Sequence, residues 1–392
     1  MRVLLIHQHF KTPVSGGAIR SYYLAKALVN AGFSVEVLTA TNDPSKKEMN
    51  YEGIQVHYLT VPYDNKFGFF ARIASFTKFM LSAILYSKRI KAIDYCYAIS
   101  VPLTTGLIAR WIKWTRKIPF IFEVGDLWPE APIQMGFIKN FFLKRFLFAM
   151  EKSIYNSADS IVALSPAIKK DIEQKVVGKT VHMIPNFADC DFYQPSEKSA
   201  ELETKFETHR KFVVSYIGAV GLANGLDYFL ECANASRKAQ LPIQFFICGE
   251  GALRERLMAS AQQLGLHNLT FVDFQTRAGV KELMNVTDAA FISYKNLPVL
   301  ETGSPNKFFD GLAAGKLIVI NFGGWIKTEI EEARCGLFVD PKHPTDFVKK
   351  ISGFVADKKL LKQYQTAARQ LAERKYSREL LSHQFANLFG KR

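Results

Sequence analysis

Short apolar runs rich in Val, Ile, Leu and Phe alternate along this chain with longer segments of helical pattern. In the first half they lie at 3–6, 34–39, 54–59, 95–98, 120–124, 161–163 and 181–184. After a polar segment at 194–210, the alternation resumes at 212–217, 243–248, 269–272, 289–293, 317–320 and 336–339. Buried strands separated by helices are typical of parallel sheets that are covered on both faces. The pattern therefore predicts an α/β fold.

The polar segment divides this pattern into two halves, and 392 residues are too many for one ordinary core. We predict two Rossmann-like domains, one over residues 1–195 and the other over residues 196–375. Their parallel sheets are expected to face a ligand crevice between the domains, at the carboxyl ends of the strands. The tail, 376–392, is predicted to be helical.

Composition excludes several classes of protein. With 48% hydrophobic and 22% charged residues, the chain is a normal globular protein rather than a disordered one. Its five cysteines show no paired spacing, which favours a reducing compartment over a disulfide framework or a zinc cluster. Met1 leads directly into a strand pattern, so we expect no signal peptide. No Gly-x-Gly-x-x-Gly follows the first strand, which disfavours a dehydrogenase.

The formal charge of +15 suggests a polyanion, an anionic membrane or an anionic substrate as partner. Residues 66–91 carry no acid, and phenylalanine and aliphatic residues lie among six bases: Lys66, Arg72, Lys78, Lys88, Arg89 and Lys91. Residues 137–146 repeat the pattern. Such helices are suited to lying on anionic lipid, and Arg72 and Lys78 interrupt any transmembrane span. Two ordinary core helices with solvated lysines are the alternative. Nucleic acid is disfavoured, because no nucleic-acid module is present.

The segment 304–316 combines a turn, a short helix, a glycine stop and a buried strand. Lys307 lies at the predicted start of the helix, where free backbone N–H groups favour a phosphate. Asp310 follows one turn later and is suited to accept hydrogen bonds from two sugar hydroxyls. The combination predicts a nucleotide-sugar site. A solvated lysine and a surface carboxylate are the structural alternatives.

Several further segments follow one another in a specific order. They are Pro13–Gly17 with Arg20, Glu123–Pro129, Ile184–Asn186, Tyr216–Gly218, and Gly249–Gly251 with Arg254. Together with 304–316 they resemble the retaining family 4 glycosyltransferases of the GT-B fold. The nearest subgroup in pattern is the bacterial one that builds O-antigen, capsule and other lipid-linked polysaccharides, including aminosugar transferases.

The resemblance implies transfer of a sugar, an N-acetylated aminosugar, from a UDP-sugar to a polyprenyl-diphosphate-linked acceptor. It places the enzyme in the cytoplasm, peripheral on the inner face of the cell membrane. The N-terminal domain then binds the acceptor, the C-terminal domain binds the donor, and the last helix packs back on the N-terminal domain. Neither a metal nor a cofactor is expected, and His7 and His9 alone are too few ligands for a metal site.

Residue roles follow from the same resemblance. The expected donor-binding residues are Gly16, Gly17, Gly249, Gly251, Arg254, Asn306, Lys307 and Asp310. Asp126 and Lys307 are the catalytic candidates, Asp126 for a polar contact to a sugar hydroxyl and Lys307 for the leaving diphosphate. Arg72, Lys78, Lys88 and Trp128 are the candidates on the acceptor and membrane side. A helix cap is the alternative role for Asp126.

The chain also departs from the family pattern. Thr302 stands where many members have the first of two acids, and Glu301 lies one position early. Ala219 and Asn224 stand where an Arg and a Lys often bind phosphate, and Gly125 stands where a His or Arg often precedes the aspartate. These departures leave open a catalytically impaired nucleotide-sugar-binding homologue. A nucleotide-sugar epimerase of the same fold is a second alternative, disfavoured because the sequence shows no obvious catalytic acid–His set.

Overall fold

The computed structural model describes residues 1–14, 17, 19–64 and 67–390, without the side chain of Phe69. The chain divides into two compact units. The first comprises Met1–Pro185, Thr302–Ser304 and the chain from Glu379 onward, and the second comprises Asn186–Glu301 and Pro305–Arg378. Each unit has its own α/β sheet, so the predicted fold class is confirmed.

The first unit is built on an eight-stranded sheet. Its strands are β1 (Arg2–Ile6), β2 (Ser34–Thr41), β3 (Glu48–Tyr51), β4 (Ile54–Thr60), β5 (Tyr95–Ile99), β6 (Phe120–Val124), β7 (Ser160–Ala163) and β8 (Val181–Met183). They are ordered β3-β4-β2-β1-β5-β6-β7-β8. All pairs are parallel except β3–β4, because the turn at Glu52-Gly53 folds β3 back as an edge strand.

Six helices connect these strands in the part of the chain that the structure describes. They are α1 (Arg20–Asn30), α2 (Phe69–Ser87), α3 (Thr104–Arg116), α4 (Glu130–Gln134), α5 (Phe141–Ser157) and α6 (Pro166–Lys175). Asn140 and Ser165 cap α5 and α6, each side chain accepting a hydrogen bond from a backbone N–H of the first turn. These caps fix where the helices start after β6 and β7.

The second unit is built on a six-stranded sheet that is parallel throughout, in the order β11-β10-β9-β12-β13-β14. Its strands are β9 (Phe212–Ile217), β10 (Ile243–Cys248), β11 (Leu269–Val272), β12 (Ala289–Ile292), β13 (Leu317–Ile320) and β14 (Gly336–Phe338). Its helices are α7 (Ala200–Lys205), α8 (Asp227–Lys238), α9 (Arg254–Gln263), α10 (Arg277–Val286), α11 (Asn306–Ala313), α12 (Trp325–Glu332), α13 (Pro344–Ala356) and α14 (Lys358–Leu371). Short helical turns lie at Leu222–Asn224, Pro298–Thr302 and Ala372–Tyr376.

The division falls at Pro185, earlier than the sequence-based boundary at residue 195. Residues 186–195 bond to arginines of the second unit. Arg369 donates to the carbonyls of Cys190 (3.0 Å) and Tyr193 (2.5 Å), and Arg378 donates to Asp189 (2.7 Å). These partners lie far along the sequence, so a local drop in hydrophobicity marks the boundary only approximately.

The last helix, α15 (Arg378–Ala386), leads the chain back to the first unit. There the Phe385 ring lies 4.8 Å from the buried Tyr97 ring, and the Phe389 ring lies 5.5 Å from that of Tyr95. Aromatic pairs at these distances add packing energy beyond the area that they bury. The chain's end is thereby part of the core that carries β5.

Candidate active site

Helix α11 is the centre of the candidate donor site. Phe308, Phe309 and Leu312 bury its inner face, and the outer face carries Lys307 and Asp310 three residues apart. Lys307 Nζ donates to the Tyr216 hydroxyl (2.8 Å), which in turn donates to the Ala219 carbonyl. The lysine thus reaches from α11 to the backbone that follows β9.

The surroundings of Lys307 are aromatic and tight. Its ammonium lies 4.3 Å from the ring centre of Tyr216 and 5.4 Å from that of Tyr294. A Cβ on Gly218 would lie 3.3 Å from Lys307 Cε, so glycine leaves room for the side chain. The sequence predicted Lys307 as a site residue but gave no role to the two tyrosines, although Tyr216 lies in the segment Tyr216–Gly218. Their positions at the carboxyl ends of β9 and β12 were the signal that could have identified them.

Both charged side chains of α11 have shifted pKa values. Burial lowers the pKa of Lys307 to about 7. Burial, with a smaller repulsion from Asp189, raises the pKa of Asp310 to about 7, although Arg277 opposes the shift. Both side chains nevertheless keep part of their surface exposed, so they lie in a recess that a ligand can reach. In the part of the chain that the structure describes, no hydrogen bond contributes to the Asp310 shift.

The predicted glycines after β10 have a structural reason of their own. A Cβ on Gly249 would lie 2.1 Å from the Gly218 carbonyl oxygen, and one on Gly251 would lie 2.3 Å from that of Val220. The φ angles of 141° and 158° also favour glycine. The loops after β9 and β10 therefore pack backbone against backbone. Whether they also admit a nucleotide stays a prediction.

Arg254, the second predicted phosphate cation, is bound to acids of its own unit. Its Nη2 lies 2.6 Å from Asp273 Oδ1, and its Nε lies 3.9 Å from Glu250. Asn306 is exposed at the start of α11. Lys307 is thus the predicted donor-site cation for which no carboxylate ion pair occurs among the described residues. It is therefore better placed than Arg254 to meet a diphosphate.

Glu301 lies against the loop that follows β13. Its Oε1 accepts a hydrogen bond from the Gly323 N–H (3.3 Å), and a Cβ on Gly323 would meet the carboxylate at 3.2 Å. A Cβ on Gly324 would clash with the Glu301 carbonyl oxygen at 2.6 Å. Thr302, at the position of the absent acid, belongs to the other unit by its contacts.

In the first unit, the loop after β6 carries Asp126. Glu123, at the end of β6, is buried and pairs with Arg20 of α1 (2.9 Å), while the Tyr97 hydroxyl donates to the same carboxylate. Glu123 is therefore structural. Asp126 and Trp128 follow it, exposed and half-buried respectively.

Three carboxylates meet beside this loop: Glu130, Glu151 and Asp171. The Lys175 ammonium lies among them, bonded to Glu130 and at 3.1 and 2.8 Å from Glu151 and Asp171. Burial and Glu130 raise the pKa of Glu151 to about 7, and the three acids hold that of Lys175 above its usual range against the cost of burial. Lys175 thus supplies the positive charge that this cluster needs.

The end of β1 carries a second set of candidate residues. Burial lowers the pKa of His7 to about 3 and that of His9 to about 4, so both are neutral at pH 7. The His9 ring lies 4.3 Å from the Tyr63 ring, which stacks on Phe76 at 5.9 Å. Sequence reasoning missed Tyr63, although it follows β4 much as His9 follows β1. Of the predicted glycine loop, Gly17 has a φ of 81° and open space around it, and Gly16 lies outside the described residues.

Two family models match this chain in succession. The Glycosyl transferase 4-like domain covers residues 15–186, and the Glycosyl transferases group 1 domain covers residues 198–371. The chain belongs to the GT4 family of GT-B glycosyltransferases.

Relatives and solved structures agree with this assignment. WcaI of Escherichia coli K12, assigned to colanic acid biosynthesis, is 27% identical over 61% of this chain and 59% of its own. TuaH of Bacillus subtilis 168, assigned to teichuronic acid biosynthesis, is 25% identical over 62% of this chain and 59% of its own. The chain thus spans about three fifths of the length of these relatives. Anabaena HepE, solved with UDP and glucose, superposes with a TM-score of 0.70 over 100% of this chain and 99% of its own, at 17% identity.

This GT4 chain also exposes apolar side chains on two helices of the first unit. On α5, Phe141, Phe142 and Phe146 are 68%, 77% and 63% exposed, with Lys144 and Arg145 between them. On α2, Phe70, Leu81 and Leu85 are exposed. We call these residues of α2 and α5 the apolar-basic surface. No helix among the described residues is long and apolar enough to cross a membrane.

The predicted bases of α2 differ in their surroundings. Lys78 and Lys88 are exposed, and the Lys88 ammonium lies 5.6 Å from the Trp111 ring. Arg72 is half-buried, and its Nε donates to the Phe67 carbonyl (2.9 Å). Lys78 and Lys88 are therefore the α2 bases that a surface partner meets most directly. Lys66 lies outside the described residues.

Proposed function

We propose that this glycosyltransferase moves a sugar, an N-acetylated aminosugar, from a UDP-sugar to a polyprenyl-diphosphate-linked saccharide. This transfer takes place at the inner face of the cell membrane, during the assembly of a bacterial surface polysaccharide. The observation that carries the donor half is the pair on α11. Among the described residues, Lys307 has no carboxylate partner and no hydrogen bond contributes to the pKa shift of the Asp310 carboxyl. Their spacing suits a diphosphate and a ribose diol.

The relatives support the donor and the pathway class. HepE was solved with UDP and glucose, and WcaI and TuaH carry the names of polysaccharide pathways. Lys307 replaces the cations absent at Ala219 and Asn224, because its ammonium reaches the backbone beside Gly218 from another element. We therefore favour an active enzyme over an impaired homologue.

The reaction that we propose retains the anomeric configuration. The acceptor hydroxyl oxygen bonds to the anomeric carbon on the face from which UDP leaves. The bond from that carbon to the phosphate oxygen breaks, its electron pair stays on the UDP oxygen, and that oxygen takes the acceptor's proton. Lys307 offsets the charge that grows on UDP, and we assign Asp126 a polar contact to a sugar hydroxyl. The scheme uses no metal or cofactor.

The apolar-basic surface supports the membrane half of the proposal. Exposed phenylalanines interleaved with bases fit the boundary between anionic headgroups and acyl chains. Cosedimentation with vesicles that contain phosphatidylglycerol tests this. We expect Phe141→Ser with Phe142→Ser to release the protein, and the same change at exposed Leu264 of the second unit to leave it bound. Equal release by both variants, or retention on DNA but not on vesicles, would overturn the membrane half.

A nucleotide titration followed by a transfer assay tests the donor half. Thermal stability should rise with UDP and less with GDP, ADP or dTDP, since only the folded state binds. UDP-N-acetylglucosamine and related UDP-sugars are then offered with a polyprenyl-diphosphate saccharide, and the product's anomeric configuration is read by NMR. A changed sugar without acceptor would indicate the epimerase, and UDP binding without turnover would indicate the impaired homologue.

A further inference from the structure

A cavity of about 460 Å³ lies in the second unit. Its apolar wall contains Phe192, Tyr193, Leu202 and Met284. Its charged lining residues are Lys281 and Glu282 of α10 and Lys316. Lys316 immediately precedes β13, at the amino end of the strands, whereas Lys307 lies at their carboxyl end. The volume is within the range of small-molecule sites.

Lys316 is the unusual member of this wall. It is only 7% exposed, and among the described residues its Nζ makes one long hydrogen bond, to the Asn285 carbonyl (3.4 Å). An ammonium has three protons to donate. The nearby Asp288 carboxylate is committed elsewhere, to Lys198 (2.5 Å) and the Val213 N–H (2.8 Å). Burial lowers the pKa of Lys316 to about 8. A buried cation so poorly bonded destabilises the fold unless something else meets it.

The rest of the wall favours an anion with a flat body. The Lys281 ammonium lies 5.1 Å from the Phe192 ring centre. The Arg277 guanidinium also stacks on this ring, at 3.8 Å, but its charge is paired with the Asp189 carboxylate. The lining acid Glu282 is bonded to Lys205 (2.6 Å), which offsets its charge. Among the described lining residues, the two lysines Lys281 and Lys316 therefore outnumber the acid Glu282 around an apolar floor.

We propose that this cavity binds a small amphipathic anion, with its carboxylate or phosphate on Lys316 and its flat apolar body against Phe192 and Met284. Lys316 lies at the opposite end of the strands from Lys307, so we expect that its occupant and a nucleotide sugar can bind at the same time. It gives the enzyme a second small-molecule contact in the domain assigned to the donor.

Two fluorescent probes with the same rings test the proposal. One is the anion 8-anilinonaphthalene-1-sulfonate, and the other is its uncharged parent, N-phenyl-1-naphthylamine. Both are titrated into the full chain with UDP at saturation, so that the donor site is filled. We compare wild type with Lys316→Met, which keeps the side-chain volume, and with Ala278→Phe, which fills the cavity from α10. Lys349→Met, on an exposed lysine of α13, is the matched control.

We expect Lys316→Met to weaken the sulfonate about tenfold, the loss of one charge-assisted contact, and to leave the neutral probe unchanged. Ala278→Phe should abolish the binding of both probes in this cavity, and Lys349→Met should leave the affinity for both probes unchanged. The melting temperature of Lys316→Met should hold or rise, because an under-bonded buried charge is gone. That result separates lost binding from lost folding.

Two outcomes would overturn the proposal. If both variants bind both probes as wild type does, the cavity is not a binding site. If Ala278→Phe weakens both probes while Lys316→Met weakens neither, the cavity is apolar and does not select anions. Competition then identifies the anion: displacement of the sulfonate by phenyl phosphate but not by benzoate assigns a phosphate, and the reverse assigns a carboxylate.

Discussion

Buried charges lie near the strand ends of both units, but they are satisfied in opposite ways. In the first unit, Arg20 and Glu123 pair with each other, and Arg20 also donates to the carbonyls of Ile184 (2.9 Å) and Pro185 (2.6 Å). In the second unit, Lys307 and Asp310 have no partner of opposite charge at bonding distance among the described residues. Removal of one member of a buried pair leaves the other charge uncompensated, whereas unpaired charges in a recess are available to a ligand.

The largest expected effect is on the stability of the first unit. Arg20→Ala leaves Glu123 buried and uncompensated, which costs about 3–5 kcal/mol of unfolding free energy. Lys307→Met removes an unpaired charge and should leave stability unchanged or higher. Urea unfolding of both variants measures the contrast. A loss at Lys307→Met as large as at Arg20→Ala would show that the two units do not differ in this respect.

Much of the fold and of the candidate site was predictable from the sequence. The rest depends on contacts between residues that lie far apart in the sequence. The strand runs and the pair Lys307–Asp310 follow from local pattern, and each of the predicted strands occurs. Arg254 was expected at the donor, but its partner Asp273 lies on the loop after another strand, so no local pattern revealed the ion pair. The hairpin strand β3, Glu48–Tyr51, was missed because its residues are mostly polar and exposed.

The glycines illustrate the same limit. Gly249 and Gly251 follow a strand, and that position predicts a nucleotide loop. The close approach to Gly218 and Val220 that also requires them arises only when β9 and β10 pair. A residue type was thus predictable, whereas the reason for it needed the three-dimensional structure.

The second-largest expected effect is on the affinity for the donor. Lys307→Met and Asp310→Asn should each weaken UDP-glucose binding by about tenfold to a hundredfold, since each removes a charge-assisted contact. Arg254→Met is the matched control, because Asp273 already pairs with that arginine, and it should weaken binding less. Isothermal titration calorimetry with purified protein gives the dissociation constant of UDP-glucose for each of the three variants. If Arg254→Met has the largest effect, the ion pair opens to the diphosphate and the contrast between paired and unpaired cations fails.

A smaller and gradual change in the affinity for UDP-glucose is expected as the pH is varied. The diphosphate favours charged Lys307, so affinity is full below its pKa of about 7 and falls as pH rises above it. Ribose hydroxyls favour ionised Asp310, so affinity is full above its pKa of about 7 and falls as pH drops below it. UDP-glucose should therefore bind best near pH 7, with each limb changing by up to about tenfold per pH unit.

The variants Lys307→Met and Asp310→Asn test this prediction further, because each removes one limb of the pH profile. Lys307→Met should abolish the fall above pH 7, and Asp310→Asn should abolish the fall below it. UDP-glucose is the suitable probe, since its diphosphate does not titrate in this range. A flat profile in wild type would mean that the recess is more hydrated than the burial of the two side chains suggests, and that both groups are already charged.

The smallest effect is expected at exposed bases, where neither burial nor a protein partner amplifies the charge. Lys78 is exposed on α2 of the apolar-basic surface, so Lys78→Gln should weaken binding to phosphatidylglycerol vesicles about fivefold, equivalent to ~1 kcal/mol per base. Raising the salt concentration should remove the difference, because exposed charges are screened. Lys349→Gln, on the second unit, should change nothing. Equal losses from the two variants would mean that net charge, rather than the position of Lys78 beside exposed apolar side chains, governs attraction to the membrane.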